Sequence, residues 1–191
     1  MRTAILGGTF DPVHLGHLLM ADEVLARLDY EQIRFIPTRV PPHKRETPVA
    51  DAKQRVEMLR LAVADRSEFV VDTFEIDEKG VSYTVRTLRH LVASEEVTGK
   101  PGLIVGEDLV AGFDSWRGVE EIEELADLIL VRRPVNDAPE FNRPHTAVDN
   151  VLLGISATEI RERVREGLPY RYLVPPPVFG YIESYGLYRE R

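Results

Sequence analysis

The sequence predicts an α/β fold, a doubly wound parallel sheet with strand order 3-2-1-4-5 and a small helical portion toward its C-terminal end. Three observations carry this expectation. Short β-branched runs alternate with amphipathic segments along most of the chain. The first run leads directly into a glycine pair and then a helical pattern, Gly7-Gly8-Thr9-Phe10-Asp11-Pro12-Val13-His14-Leu15-Gly16-His17. After Leu153 the alternation stops, and two helical segments follow with no clear strand between them.

The elements follow in order. Strands are expected at Arg2 to Leu6, Ile33 to Ile36, Phe69 to Phe74, Leu103 to Val105, Leu128 to Val131 and Val151 to Leu153. Helices are expected between them, at Leu15 to Leu28, Ala52 to Ala64, Thr84 to Ala93 and Val119 to Leu125. In the second of these, Val56, Leu59, Ala62 and Val63 recur at three- and four-residue steps while Lys53, Glu57 and Arg60 face away, which makes one buried stripe. The last two helices span Ala157 to Glu166 and Pro176 to Tyr185. Pro175-Pro176-Pro177 suits a helix start, where the missing N–H is not needed. Two proline-bearing loops stand out, Pro37 to Ala50 and Arg133 to Asn150. Residues 1–154 are expected to form the core and 155–191 the helical portion, in one compact unit.

Composition narrows the function classes. With 191 residues, 43% of them apolar, the chain suits one domain that buries about 70% of its unfolded surface. It has no cysteine, which removes thiol catalysis, thiolate zinc sites and iron–sulfur clusters. Apolar runs such as Leu128 to Val131 fall far short of the roughly 18 residues of a membrane span. Met1 to Leu6 runs into the glycine turn without a signal-peptide apolar region, so a cytoplasmic location is expected. The net charge of -8 argues against broad attraction to nucleic acid or an anionic membrane. Between Glu107 and Asp127 eight acidic residues stand against Arg117 alone, a pattern best read as a solvated acidic face. Only four of the 24 basic residues are lysines, so Lys44, in the first proline-rich loop, draws notice.

Glycines after a first strand let backbone N–H groups approach a phosphate, and the following helix N-terminus adds a positive dipole end. A tight structural turn would explain Gly7-Gly8 about as well. The pattern is neither the G-x-G-x-x-G dinucleotide fingerprint nor a P-loop. His14 and His17 strengthen the anion reading, because residues three apart in a first helical turn put both rings on one side. The pair is also half a metal site, or two polar residues at a helix end; ligation needs more ligands, and nearby only Asp11 offers one. Asp11 suits either an outer-shell contact to a metal or a cap on the turn before Pro12. Ser156 and Glu159 fit the capping box S-x-x-E, with Arg161 a further turn along.

On these residues the sequence resembles the nucleotidyltransferase superfamily, whose H-x-G-H element matches His14, Gly16 and His17. A second element of that superfamily matches Ile155-Ser156-Ala157-Thr158-Glu159-Ile160-Arg161. Within the superfamily it resembles the bacterial nicotinate-nucleotide adenylyltransferases over essentially its whole length. Pro41-Pro42-His43-Lys44, Ser82-Tyr83-Thr84, Gly106-Glu107-Asp108 with Phe113 and Trp116, Arg133-Pro134, and the tail from Tyr181-Ile182 to Leu187-Tyr188 carry that likeness.

The resemblance implies a Rossmann-like core and an enzyme of pyridine nucleotide biosynthesis, joining ATP to nicotinate mononucleotide with release of pyrophosphate. It implies catalytic roles for His14, His17, Lys44 and Arg161. It implies ATP contacts from Gly7, Gly8, Thr9, Phe10, His14, Gly16, His17, Gly106, Asp108, Ser156, Thr158 and Arg161. Nicotinate mononucleotide would meet His43, Lys44, Thr84 and Trp116, the tryptophan stacking on the pyridine ring. Mg²⁺ would arrive with ATP, held by phosphate oxygens and water, with no metal site of the protein's own. Ala157 and Glu107 depart from the family pattern. The competing expectations are a nicotinamide-mononucleotide or pantetheine-phosphate adenylyltransferase, and a non-catalytic nucleotide sensor. Partners are expected to be these small molecules, not nucleic acid or membrane, and a homo-oligomer is compatible with the sequence.

Overall fold

Short apolar runs become the central strands because both faces of the sheet are covered, so side chains pointing to either face, such as those of Leu128 to Val131, find buried sites. The computed structural model describes residues 1–40, 48–78, 80–94, 96–132, 140–151 and 154–189. His43, Lys44, Arg133, Pro134, Leu152 and Leu153 therefore lie outside the described residues. In chain order the elements are β1 (Thr3–Gly8), α1 (Leu15–Arg27), β2 (Gln32–Pro37), α2 (Ala52–Val63), β3 (Phe69–Val71), α3 (Phe74–Asp77), α4 (Thr84–Ala93) and β4 (Gly102–Gly106). A 3-10 turn (Glu107–Leu109), α5 (Val110–Phe113), α6 (Val119–Leu125), β5 (Asp127–Arg132), β6 (Thr146–Asp149), α7 (Ala157–Glu166) and α8 (Pro176–Tyr185) complete it.

All strand pairs are parallel, in the order β3-β2-β1-β4-β5-β6. The expected order is thus present, with a sixth strand added beside β5. Alternation along the strands sends residues to two cores. Ala4 and Leu6 of β1 join Ile33 and Phe35 of β2 beneath α1, α2, α7 and α8, while Ile5, Ile36, Leu103 and Val105 pack with α4 and α6 on the other face. This is the Rossmann-like, doubly wound arrangement. The C-terminal helices close the first face, α8 lying against α2.

Two strands differ from expectation. β6 lies at Thr146–Asp149, ahead of the expected strand at Val151 to Leu153; Val151 is exposed and outside any strand, and Leu152 and Leu153 lie outside the described residues. At a sheet edge, backbone pairing to one neighbour and a single buried side chain, Val148, are enough, so no apolar run marks it. β3 ends at Val71 because the Asp72 carboxylate accepts a hydrogen bond from the Phe74 N–H at 2.9 Å and turns the chain into α3. The acidic stretch is partly paired: Arg143 meets Asp114 and Glu123, and Arg89 meets Glu121.

Candidate active site at the sheet switch point

The strand order reverses between β1 and β4, and diverging connections there open a cleft at the carboxyl ends of the strands. The cleft has a volume of 660 Å³. Gly7, Gly8, Thr9, Phe10, His14, Gly16, His17, Thr84, Gly106, Asp108, Trp116, Ser156, Thr158 and Arg161 all line it, so every described candidate residue is in one place. Thr38, Pro48 and Val49, which flank the loop carrying His43 and Lys44, also border it. A second depression of 820 Å³ lies at the opposite, amino ends of the strands, beside Arg2, Tyr30, Lys100 and Thr146, and holds none of the candidates.

Two helix N-termini meet in the cleft. His14 is the N-cap residue of α1, and its backbone N–H donates to His17 Nδ1 at 3.2 Å. A ring nitrogen that accepts leaves the proton on the other, so His17 presents Nε2–H as a donor. The two imidazoles stack with centroids 3.7 Å apart, and Phe10 meets His17 edge-on at 4.9 Å. Gly16 leaves room for this stack: a Cβ there would sit 3.0 Å from His14 Nδ1 and press on the ring. Phe10 itself adopts φ 49° and its ring is buried against Phe35, so its side chain braces His17 from the core and leaves its backbone to the cleft.

From the other end of the chain, Ser156 caps α7 by accepting from the Glu159 N–H at 3.1 Å. The reciprocal half of the expected capping box is absent, because the Glu159 carboxylate pairs with Arg163 one turn on. Ser156→Ala is expected to cost about 1 kcal/mol of stability, measured as a shift of the urea midpoint with an unchanged slope. Arg161 donates to the Asp11 carbonyl at 2.7 Å and to Thr158 Oγ1 at 3.2 Å. That guanidinium physically joins the two sequence elements.

Asp11 does more than cap a local turn. Its carboxylate is buried and accepts from Val49 N (2.8 Å), Ala50 N (3.1 Å) and the Tyr188 hydroxyl (2.8 Å). Burial and the Asp11 charge push the Tyr188 pKa up, so its hydroxyl remains a donor. Beside it, the fully buried Arg55 donates to the Thr9 carbonyl at 2.7 Å. Burial pulls the Arg55 pKa down, and the Asp11 charge opposes that. Together these groups hold the strained turn after β1. The signal for Arg55 was an arginine directly beside the apolar stripe of α2; nothing in the spacing pointed to Tyr188.

At the far end of the cleft, the first turn of α4 presents Ser82, Tyr83, Thr84 and Thr87. Trp116 also lines the cleft, half-buried and tilted against Phe113 at 4.9 Å. Asp108, exposed in the 3-10 turn, folds back over β4, and a Cβ at Gly106 would lie 2.6 Å from its Oδ1. Glu75, which the sequence reading overlooked, is buried at this end, where its Oε1 accepts from Thr87 Oγ1 at 2.6 Å.

Comparison with known proteins agrees with this layout. The cytidylyltransferase-like family model matches residues 5–163. A relative from Geobacillus kaustophilus (strain HTA426), named "Probable nicotinate-nucleotide adenylyltransferase", is 43% identical over 190 residues, covering 100% of this chain and 87% of its own. One of the same name from Borrelia hermsii (strain HS1 / DAH) is 40% identical over 188 residues, covering 98% of both. Among solved structures, Plasmodium falciparum nicotinic acid mononucleotide adenylyltransferase complexed with NaAD superposes with a TM-score of 0.76 at 19% identity, over 98% of this chain and 97% of its own. A fold with its cleft at the β1/β4 switch, both phosphate-type elements converging there, and relatives alike from end to end lead to one assignment: this chain belongs to the cytidylyltransferase-like family, among its nicotinate-nucleotide adenylyltransferases.

Proposed function

We propose that this chain joins ATP and nicotinate mononucleotide to give nicotinate adenine dinucleotide and pyrophosphate. The observation that carries the proposal is the Arg161 to Asp11 carbonyl hydrogen bond of 2.7 Å, which places two helix N-termini and their donors around one cleft. A phosphate oxygen of the mononucleotide attacks the α-phosphorus of ATP. The new O–P bond forms as the bond to the bridging oxygen of pyrophosphate breaks on the far side. The nucleophile is already ionised at neutral pH, so no general base and no covalent intermediate is needed. The protein supplies alignment and donors for charge on the transferred and departing phosphates.

In this reading His14 and His17, with the amides after Gly7 and Gly8, serve the α-phosphate. The Ser156, Thr158 and Arg161 group, at the α7 dipole end, serves the β- and γ-phosphates. Thr9, Phe10 and Gly16 contribute backbone, and Gly106 and Asp108 border the adenosine side. Thr84 and the α4 amides receive the nicotinate carboxylate, and Trp116 stacks on the ring. His43 and Lys44 would contribute from the loop above. Among the described residues no three carboxylates or histidines are placed to hold a metal ion, and Asp11 accepts from three protein donors. Such a cleft suits Mg²⁺ that enters on ATP, bound to its phosphates and water.

Pyrophosphate release with ATP and each of nicotinate mononucleotide, its amide and phosphopantetheine tests the reading. The acid mononucleotide is expected to give the highest kcat/KM. Turnover only with another acceptor, or ATP binding with no turnover at all, would overturn it.

A further inference from the structure

Glu75 is the buried ionisable group that the proposed chemistry leaves without a task. Its side chain is 7% exposed, borders the cleft at the α4 end, and is held by Thr87, one helical turn from Thr84. Oε2 is buried and makes no hydrogen bond of good geometry among the described residues, although the Ser82 hydroxyl lies close enough to the carboxyl to influence it. A carboxyl so placed shares the first turn of α4 with whatever anion that helix end receives. When ionised, it sets a full negative charge against the partial positive charge of the helix N-terminus; when protonated, it leaves that field intact.

We propose that the protonation state of Glu75 sets the preference for an acid over an amide on the pyridine ring, acting through the field at the α4 N-terminus and not by contact. This rests on the reading of Thr84 and Trp116 as the pyridine end of the cleft. With Glu75 neutral, the helix end favours a carboxylate. With Glu75 ionised, the carboxylate is repelled, whereas a neutral carboxamide is affected little. Burial raises the Glu75 pKa, the Thr87 and Ser82 hydroxyls lower it, the Asp72 charge raises it, and Arg86 lowers it. Other charged groups around it are engaged elsewhere. Arg34 on β2 pairs with Asp72, Arg86 with Glu78, Arg39 donates to the Ile76 carbonyl, His90 stacks on Phe74, and Arg117 lies over the Tyr83 ring.

The test is the ratio of kcat/KM for nicotinate mononucleotide to that for nicotinamide mononucleotide, measured from pH 5.5 to 9 on wild type and Glu75→Gln. Ionisations shared by both reactions, including those of the histidines and the attacking phosphate, cancel in the ratio. Wild type is expected to show a ratio that falls with rising pH, by up to about tenfold per unit above the group's pKa until the charged form's lower value is reached. Glu75→Gln keeps the Thr87 hydrogen bond and stays neutral, so its ratio is expected to be flat and high throughout.

A flat wild-type ratio would overturn the proposal, and so would a Glu75→Gln ratio that keeps the wild-type slope. In either case, continued turnover of the acid leaves the adenylyltransferase reading intact. No turnover of either mononucleotide by wild type would instead overturn that reading, and the proposal with it. Stability gives an independent check. A raised carboxyl pKa means the folded protein holds its proton after the unfolded chain has lost it, so wild type loses stability relative to Glu75→Gln as pH rises from about 4.3. A stability difference that does not change with pH would show that Glu75 is already charged in the folded protein and sink the proposal.

Discussion

His17→Ala is expected to slow adenylyl transfer by about 100-fold or more while the fold stays intact. The ring offers Nε2–H because its Nδ1 is held by the His14 backbone N–H. It is braced between His14 and Phe10, so little reorganisation accompanies the reaction. Losing one preorganised donor to a developing phosphate charge costs roughly 2.7 to 4 kcal/mol of barrier. The loss should fall on kcat, with a smaller change in KM for ATP, since the donor acts most on the transition state. His17→Asn and His17→Gln should recover little, because neither amide reproduces both the backbone contact and the ring stack. Near-normal pyrophosphate release from folded His17→Ala enzyme would remove His17 from the mechanism.

Asp11→Ala is expected to give the largest loss of stability, about 3 to 5 kcal/mol. Three donors converge on this buried carboxylate from two distant parts of the chain, Val49 and Ala50 at the end of the first proline-rich loop and Tyr188 near the C-terminal end. Alanine leaves all three unsatisfied and removes the negative charge facing buried Arg55. Asp11→Asn is an informative companion. Its oxygen can take Oδ1's two bonds, but its NH₂ would then face the Val49 N–H, donor against donor. Urea unfolding monitored by circular dichroism measures both variants. An Asp11→Ala unfolding free energy within about 1 kcal/mol of wild type would mean that these contacts are not the anchor of the turn.

Most elements were legible because their signals are local. The helices at Thr84–Ala93, Val119–Leu125, Ala157–Glu166 and Pro176–Tyr185 have the expected bounds, since each combines apolar periodicity with a recognisable start or stop. The misplaced sixth strand, the four-residue helices α3 and α5 and the half-formed capping box share the opposite property. β6 is specified by the strand beside it, α3 by one aspartate accepting a backbone bond, and the Glu159 side chain by its choice of Arg163 over the helix start. None of these preferences is written in a period of 2 or 3.6.

By itself the sequence determined that the chain is a parallel α/β protein, that it has two separate helix starts suited to anions, and, through motif likeness, which chemistry they suit. Only the tertiary structure decided that Arg161 touches the turn before His14, that Asp11 is an internal anchor for Tyr188, and that Glu75 sits buried beside Thr87. The physical reason is range. Helix caps, strand runs and glycine turns depend on neighbours within a few residues, whereas the partner of a buried charge is whichever group the completed sheet and its covering helices bring beside it. Desolvation then makes that distant partner matter most.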